Sequence, residues 1–340
     1  MKKTEIFKST LAAAVLSLSL MPVHDALAKT NLRFAHGMGP GEVGYTMFQE
    51  FADNVTERTN GEVTFSIFPA DQLGKEADTL IQAKNGAIDI TAGSMAMLSP
   101  LVPSMEMVNA PFLWKDWDEA RTVIDGAAFD PEFQILKEKH NLVPLTRTFY
   151  FGWRDFTLSN TEVKKPEDMA GLKIRVPENP LWVEMVKTLG AVPTPIPFSE
   201  VYTALQQKVV DGQENPVPTI QARKYYEVQQ YLTVSKHMLQ TNLILINKNS
   251  LARLSEEDQK ILFEEASKIA TKNAELVQKQ EEDVLAEFKS SNKITVVDDV
   301  DRDAFLEAVQ PANEKLAESR WGLDNYKRLR AAIDQYRSKI

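Results

Sequence analysis

The sequence of 340 residues contains no cysteine. Disulfide bonds, thiol chemistry and anchoring through a lipid-modified cysteine are therefore excluded, and the fold has to be held together by its core. Histidine is also scarce: the three that follow residue 28 are His36, His140 and His237, which lie far apart in the chain. This scarcity disfavours a multi-histidine metal site, and we predict neither a metal ion nor a cofactor.

Other features are missing as well. Neither a G-x-S-x-G nucleophile elbow nor an H-E-x-x-H zinc motif occurs in the sequence. The formal net charge is −9 and no basic run offsets it locally, so nucleic acid is not expected as a partner. After residue 28, no apolar stretch approaches the roughly 18–20 residues that a membrane-spanning helix needs.

The first 28 residues have the pattern of a secretory signal peptide. Three lysines among the first eight residues are followed by an apolar run from Leu11 to Val23, and Ala26-Leu27-Ala28 is an A-x-A cleavage site. The apolar run is too short for a membrane anchor. We therefore predict that residues 1–28 are removed and that the mature protein is free in the periplasm.

The remaining chain alternates predicted strands with predicted helices. Strands are expected at 32–35, 62–68, 88–92, 142–153, 172–176, 231–235 and 243–247. Helices are expected at 45–60, 75–85, 116–125, 131–140, 180–189 and 199–208, with a long one at 256–290. Such alternation predicts an α/β fold with parallel strands. Two α/β halves without a flexible linker indicate a cleft hinged by crossing strands, where a ligand would bind.

What the sequence does contain is a set of anion-binding side chains in its middle third. Arg154 and Arg175 lie in predicted strands about twenty residues apart, and Asn215 follows in an Asp-Gly-Gln-Glu-Asn-Pro turn. A guanidinium offers a planar fork of donors that matches a carboxylate, and a carboxamide adds a further donor. These residues predict a receptor for a small molecule that carries a carboxylate.

One motif favours a different class of protein. The run Gly-Pro-Gly-Glu-Val-Gly at 39–44 satisfies G-x-G-x-x-G between a predicted strand and a predicted helix, as in dinucleotide-binding enzymes. Pro40 lacks the backbone N–H that a pyrophosphate would need, and no acidic residue ends the second strand, where Phe68 is followed by Pro69. The motif therefore gives little support to the interpretation of the chain as an oxidoreductase.

Seven short runs, taken together and in order, resemble the substrate-binding proteins of tripartite ATP-independent periplasmic (TRAP) transporters. They are Thr-Asn-Gly at 59–61, Gln-Leu-Gly at 72–74, Asn-Gly-Ala-Ile-Asp at 85–89, Pro-Phe-Leu at 111–113, Gly-Leu-Lys-Ile-Arg at 171–175, Phe-Ser-Glu-Val-Tyr-Thr-Ala-Leu at 198–205 and Val-Asp-Gly-Gln-Glu-Asn-Pro at 210–216. Within this DctP-like family, Gly-Trp-Arg-Asp at 152–155 is most similar to the sugar-acid-binding branch. The sequence departs from the family pattern at Lys208, where glycine is commoner in the family.

The resemblance implies roles for particular residues. The arginine that matches Arg175 makes the main salt bridge to the ligand carboxylate. Arg154 and Asn215 match residues that add contacts to the same group. Phe198 matches an aromatic wall of the ligand site.

Four further candidates complete the predicted site. By the resemblance, Ser94 and Glu76 face the distal part of the ligand from the N-terminal lobe, and Glu178 matches a cleft position of variable type. His36 is a candidate because it ends the first predicted strand at the expected mouth of the cleft.

The resemblance also implies a two-lobed periplasmic binding protein fold of type II-like topology, with hinge strands and a long domain-spanning helix. We expect the N-terminal lobe to comprise residues 29–151 and 241–280. The C-terminal lobe would comprise residues 152–240 and 281–340 and would carry both arginines and Asn215.

The function implied is that of a monomeric receptor, not an enzyme. It would bind an organic acid, such as a uronate, an aldonate or a keto-aldonate, and deliver it to the TRAP membrane subunits. A receptor for C4-dicarboxylates or for small hydroxy or keto acids stays open as an alternative. A secreted enzyme acting on sugar acids is the alternative from another class.

Overall fold

The computed structural model of the chain describes residues 29–339. The predicted signal peptide, residues 1–28, lies outside this range. Within the range, none of the helices combines the length and the apolar character needed to cross a membrane.

Helices and strands alternate along the described chain, as predicted. The strands are β1 (Thr30–His36), β2 (Val63–Phe68), β3 (Ile90–Ser94), β4 (Leu142–Leu158), β5 (Lys173–Val176), β6 (Val192–Pro195), β7 (Gly212–Pro216), β8 (Tyr231–Asn247) and β9 (Thr295–Val297). The α-helices are α1 (Val43–Arg58), α2 (Glu76–Lys84), α3 (Trp117–Asp125), α4 (Asp130–Lys139), α5 (Pro180–Thr188), α6 (Val201–Gln206), α7 (Val217–Ala222), α8 (Lys248–Leu251), α9 (Glu256–Ser290), α10 (Arg302–Leu316) and α11 (Leu323–Arg337).

These strands form one mixed sheet in the order β2-β1-β3-β8-β4-β7-β5-β6, with β9 paired to β8. The strands β2, β1 and β3 are parallel to one another, and so are β7, β5 and β6. Between the two parallel triplets, β8 and β4 run antiparallel to each other and to their outer neighbours. The predicted α/β fold is confirmed, and the parallel pairing expected from strand–helix alternation holds within each triplet.

The two central strands are longer than the sequence pattern indicates. The strand predicted at 142–153 continues to Leu158, and the strands predicted at 231–235 and 243–247 are one strand, β8, of 17 residues. The segment between them carries polar residues that do not alternate with apolar ones. They lie inside the protein and bond to one another, as in the hydrogen bonds between Ser235 and His237 and between Gln240 and Asn242.

The long helix α9 joins the cores of the two halves, and its predicted bounds are confirmed. It begins after Ser255, whose hydroxyl accepts a hydrogen bond from the Asp258 N–H at 3.0 Å. Near its start, Leu262 packs in the core beneath α1 and β1, and near its end Phe288 packs in the core beside α6 and α7. One rigid element therefore contributes apolar side chains to both sides of the sheet's centre.

Candidate ligand-binding site

A pocket of about 760 Å³, counting its part open to solvent, lies where β4 and β8 cross between the two parallel triplets. Its walls come from the ends of β3, β5 and β7, the start of α2 and the middle of β4 and β8. The lining residues are Gly37, Met38, Asp71, Lys75, Glu76, Ala77, Ala92, Gly93, Ser94, Met97, Phe151, Arg154, Arg175, Pro177, Glu178, Trp182, Pro197, Phe198, Asn215, Gln240 and Asn242. Seven of the eight predicted site residues are among them.

Arg175 on β5 is buried, with 2% of its surface exposed. Its Nε and Nη2 both donate to the Ile196 carbonyl, at 2.8 and 2.6 Å, which fixes the plane of the guanidinium. Within residues 29–339, no carboxylate lies in ion-pair distance of it, in contrast to the other buried arginine of the pocket. Burial lowers the pKa of Arg175 to about 10, as expected for a cation without a counter-charge.

Arg154 on β4 is already paired within the protein. Its Nε and Nη2 hold the Glu214 carboxylate in a fork, and its Nη1 donates to the Gln240 side chain. Its guanidinium lies 5.6 Å from the Trp182 ring centre. Burial opposes ionisation of Glu214, but the charge of Arg154 and the hydrogen bond from His237 outweigh it and lower the pKa of Glu214 to about 2. Arg154 is thus held as a cation at the pocket wall.

Asn215 is the next-to-last residue of β7 and lines the pocket together with these arginines. Its Nδ2 donates to Gln213 Oε1 at 2.5 Å, and Gln213 Nε2 in turn donates to the Thr157 hydroxyl at 2.9 Å. This chain of hydrogen bonds fixes the orientation of the Asn215 amide. The resulting cluster of two guanidinium groups and one amide suits a carboxylate.

The opposite wall of the pocket is acidic and polar. Glu76 opens α2, and its carboxylate accepts a hydrogen bond from the Ser94 N–H. Burial raises the pKa of Glu76 to about 7, against the opposing effects of that hydrogen bond and of the two arginines. The Ser94 hydroxyl is buried and has no hydrogen-bond partner in the range 29–339. Both groups are available to hydrogen-bond a bound ligand.

Phe198 and Glu178 also line the pocket, whereas His36 does not. His36 ends β1 as predicted, but its ring packs between Phe48, at 4.7 Å, and Phe34, at 5.4 Å between centres. Burial lowers the pKa of His36 to about 4, so the ring is neutral at pH 7. The structure therefore places His36 in the core of the first triplet and not among the pocket-lining residues.

Sequence reasoning missed several polar residues of the pocket. Gln240 and Asn242 lie in the part of β8 that was not predicted as strand, and Gln240 Nε2 donates to Asn242 Oδ1 at 2.9 Å. The signal that could have found them is a polar Gln-Thr-Asn run inside an apolar stretch. Trp182 on α5 lies in a predicted helix and was not singled out. Its indole N–H is buried and has no hydrogen-bond partner among residues 29–339.

Among the described residues, no group of histidine, aspartate or glutamate side chains is arranged to hold a metal ion. The pocket offers guanidinium groups for charge pairing and side-chain oxygens for hydrogen bonding. Two α/β halves joined by crossing strands, with such a pocket between them, define a solute-binding protein. That is the class to which the fold and the site assign this chain.

The family follows from comparison with known proteins. Residues 34–320 match the DctP family, described as bacterial extracellular solute-binding protein, family 7. The chain belongs to this family, and the resemblance to TRAP receptors predicted from the sequence is confirmed. Members of this family are solute-binding proteins.

Three relatives illustrate its range. The chain is 33% identical to the sialic acid-binding periplasmic protein SiaP of Vibrio cholerae, over 86% of this chain and 90% of that protein. It is 32% identical to the 2,3-diketo-L-gulonate-binding periplasmic protein YiaO of Escherichia coli, over 84% of this chain and 86% of that protein. A TRAP periplasmic solute-binding protein of Roseobacter denitrificans with bound β-D-glucuronate superposes with a TM-score of 0.83 and 29% identity, covering 89% of this chain and 99% of that one.

Proposed function

We propose that the protein is a periplasmic receptor that binds a sugar acid through its carboxylate and delivers it to the membrane subunits of a TRAP transporter. The observation that carries the proposal is Arg175, a buried guanidinium in the pocket wall with no acidic partner among residues 29–339. An unpaired buried charge is costly, and a ligand carboxylate removes that cost. Arg154 and Asn215 complete the carboxylate site.

The acidic side chains of the pocket support a polyhydroxylated monocarboxylate as the ligand. Glu76, Asp71 and Glu178 line the pocket, and a second carboxylate placed beside them would be repelled when they are ionised. Carboxylate oxygens accept hydrogen bonds from hydroxyl groups, and Ser94 adds a hydroxyl of its own. The relatives that bind glucuronate and diketogulonate are consistent with this ligand class. Phe198 forms the aromatic wall.

The lobe boundaries are proposed at 151/152, 240/241 and 280/281, as expected from the sequence. The register of the central strands supports this division, because Gly152 pairs with Gln240 and Tyr150 pairs with Thr241. Two of the three points at which the chain passes from one proposed lobe to the other thus lie side by side in the sheet. The third lies on α9, where Glu281 accepts a hydrogen bond from the Trp153 N–H at 2.8 Å.

The same proposal includes secretion and a lack of catalysis. Residues 1–28 act as a cleaved signal peptide, and the mature chain works as a monomer that releases its ligand unchanged. Mass spectrometry of the protein isolated from the periplasm tests the cleavage site. Chromatography of the ligand recovered after long incubation tests for turnover, and a new product would favour the enzyme alternative.

A thermal-shift screen against an organic-acid library tests the ligand class. Tight binding raises the melting temperature by mass action. Uronates, aldonates and keto-aldonates should give larger shifts than succinate or malate. If succinate or malate gave the largest shift, the dicarboxylate alternative would replace this proposal. If no organic acid gave a shift, the receptor function itself would be contradicted.

A further inference from the structure

The loop that follows β1 receives an arginine from the other side of the cleft. Arg223, directly after α7, donates from Nη2 to the Gly37 carbonyl at 2.8 Å and to Glu42 Oε2 at 2.8 Å. The same Glu42 oxygen accepts the Gly39 N–H at 2.8 Å. One carboxylate therefore closes the Gly-Pro-Gly-Glu loop and binds Arg223, and both side chains are largely buried, at 6% and 19% exposed.

The loop and the end of α7 are also close in their backbones. A Cβ atom at Gly41 would lie 3.6 Å from the Ala222 Cβ, and Gly41 has a φ of +94°. Gly41, which fits a nucleotide-binding pattern in the sequence, instead allows the loop to approach α7. The Glu42 carboxylate inside the loop would repel a pyrophosphate.

Arg223 also supports the pocket itself. Its guanidinium carbon lies 3.9 Å from the centre of the Phe198 ring, a distance typical of cation–π stacking. Phe198 lines the pocket, whereas Arg223 does not. Gly37, which accepts one of the Arg223 hydrogen bonds, lines the pocket from the other side.

We propose that Arg223 is a positioning residue that fastens the closed pocket, together with Glu42, Gly37 and Phe198. We call these four residues the entrance clasp. The inference rests on the proposed function, and it adds that the ligand leaves only after the clasp has opened. The clasp acts mainly on the dissociation rate, because its contacts form between two sides that approach each other after the ligand has arrived.

Stopped-flow tryptophan fluorescence with D-glucuronate and D-galacturonate measures the two rates, with Trp182 in the pocket wall as a reporter. Arg223→Met should raise the dissociation rate about tenfold or more, because it removes one partner of a buried ion pair, and should change the association rate by less than about threefold. Arg223→Lys should recover part of the loss, because it keeps the charge without the planar fork. Arg121→Met, in an exposed pair with Asp118, is the control and should leave both rates unchanged.

Glu42→Gln keeps the shape of the side chain and tests the clasp if Arg223→Met folds poorly. In the double variant, the two effects on dissociation should be far from additive, because each substitution breaks the same contact. An unchanged dissociation rate in both single variants would overturn the proposal. So would a lower melting temperature with no change in dissociation, which is the result expected of a purely structural contact.

The proposed function and the clasp can fail separately. If neither uronate binds the unaltered protein, D-glucuronate and D-galacturonate are excluded as its ligands, and the clasp is then tested without ligand. Denaturant unfolding of the single and double variants at positions 42 and 223 should show coupling between them. Additive effects on the free energy of unfolding would overturn the clasp independently of any ligand.

Discussion

At the scale of single residues, the two buried arginines of the pocket differ in whether a carboxylate of the protein neutralises them. Arg154 is neutralised by Glu214 inside the protein, so its charge is matched before any ligand binds. Within the described part of the chain, Arg175 has only the Ile196 carbonyl as a hydrogen-bond partner. A ligand carboxylate therefore improves the environment of Arg175 far more than that of Arg154.

This difference predicts opposite results for the two alanine variants. Arg175→Ala should weaken sugar-acid binding by about 2–5 kcal/mol and leave the unfolding free energy unchanged or higher, because an unpaired buried charge is removed. Arg154→Ala should lower the unfolding free energy by about 3–5 kcal/mol, because Glu214 loses its partner. Calorimetry and urea unfolding measure the two quantities. Near-normal affinity in Arg175→Ala would remove Arg175 from the site.

Glu76 predicts a pH dependence of stability. Burial raises its pKa from 4.5 to about 7, so the folded state binds this proton more tightly than the unfolded state. The stabilisation from that proton is complete below pH 4.5 and is lost as the pH rises to about 7. Between pH 5 and about 8, the free energy of unfolding of Glu76→Gln should therefore rise by about 1–3 kcal/mol relative to that of the unaltered protein. A difference that does not vary with pH would contradict this.

At the scale of elements, the junction of β4, β7 and α9 is closely packed around Gly152. Gly152 has a φ of +134°, and a Cβ atom there would lie 2.6 Å from Glu281 Oε1 and 2.8 Å from the Pro216 Cβ. The pairing of β4 with β8 shifts register between Tyr150 and Gly152. The chain thus bends at the proposed lobe boundary, where only glycine fits.

Gly152→Ala should therefore destabilise the protein by about 3 kcal/mol or more, since backbone strain and overpacking add together. Gly61 is the matched control: it has a φ of +79°, but a Cβ atom there meets nothing within 4 Å. Gly61→Ala should cost only about 1 kcal/mol of backbone strain. Chemical denaturation measures the free energy of unfolding of both variants. Equal losses would show that the neighbours of Gly152 can move to accommodate a Cβ atom, which would contradict the prediction.

The elements also show what a sequence pattern can predict. The helix α9 was predicted to the residue because its apolar spacing is regular and Ser255 marks its start. The middle of β8 was missed because its polar residues are satisfied by partners distant in the chain, such as Arg154 for Gln240. The helix predicted at 199–208 ends at Gln206, and Lys208 has a φ of +56°, which explains why glycine is commoner there.

The candidate site, like the secondary structure, was predicted only in part. Arg175 and Asn215 were predicted from their chemistry and from the family resemblance, and the structure brings both to one pocket. Their contact with a ligand stays a prediction. Glu214 was missed because the sequence does not show that β7 pairs with β4, which brings Glu214 to Arg154. His36 was placed by its strand end, but its ring turns into the aromatic core instead of the pocket.

At the scale of the whole molecule, three segments connect the proposed lobes without a flexible linker: β4, β8 and α9. Connections that are themselves regular strands and a helix allow hinge bending and restrict other relative motions. The pocket lies beside the hinge, so a small rotation there would enclose a ligand. Enclosure would remove water from around Arg175 and strengthen each charged contact.

Closure predicts that compaction and weak salt dependence occur together. Small-angle scattering should show a smaller radius of gyration with saturating ligand, because the two lobes approach each other. The ligand carboxylate would then be shielded from mobile ions, so affinity should fall only modestly between low salt and about 0.5 M, whereas an open site would be screened within a Debye length of a few Å. An unchanged radius of gyration with steep salt dependence would indicate an open anion patch. The receptor mechanism would then be wrong even if Arg175 bound the carboxylate.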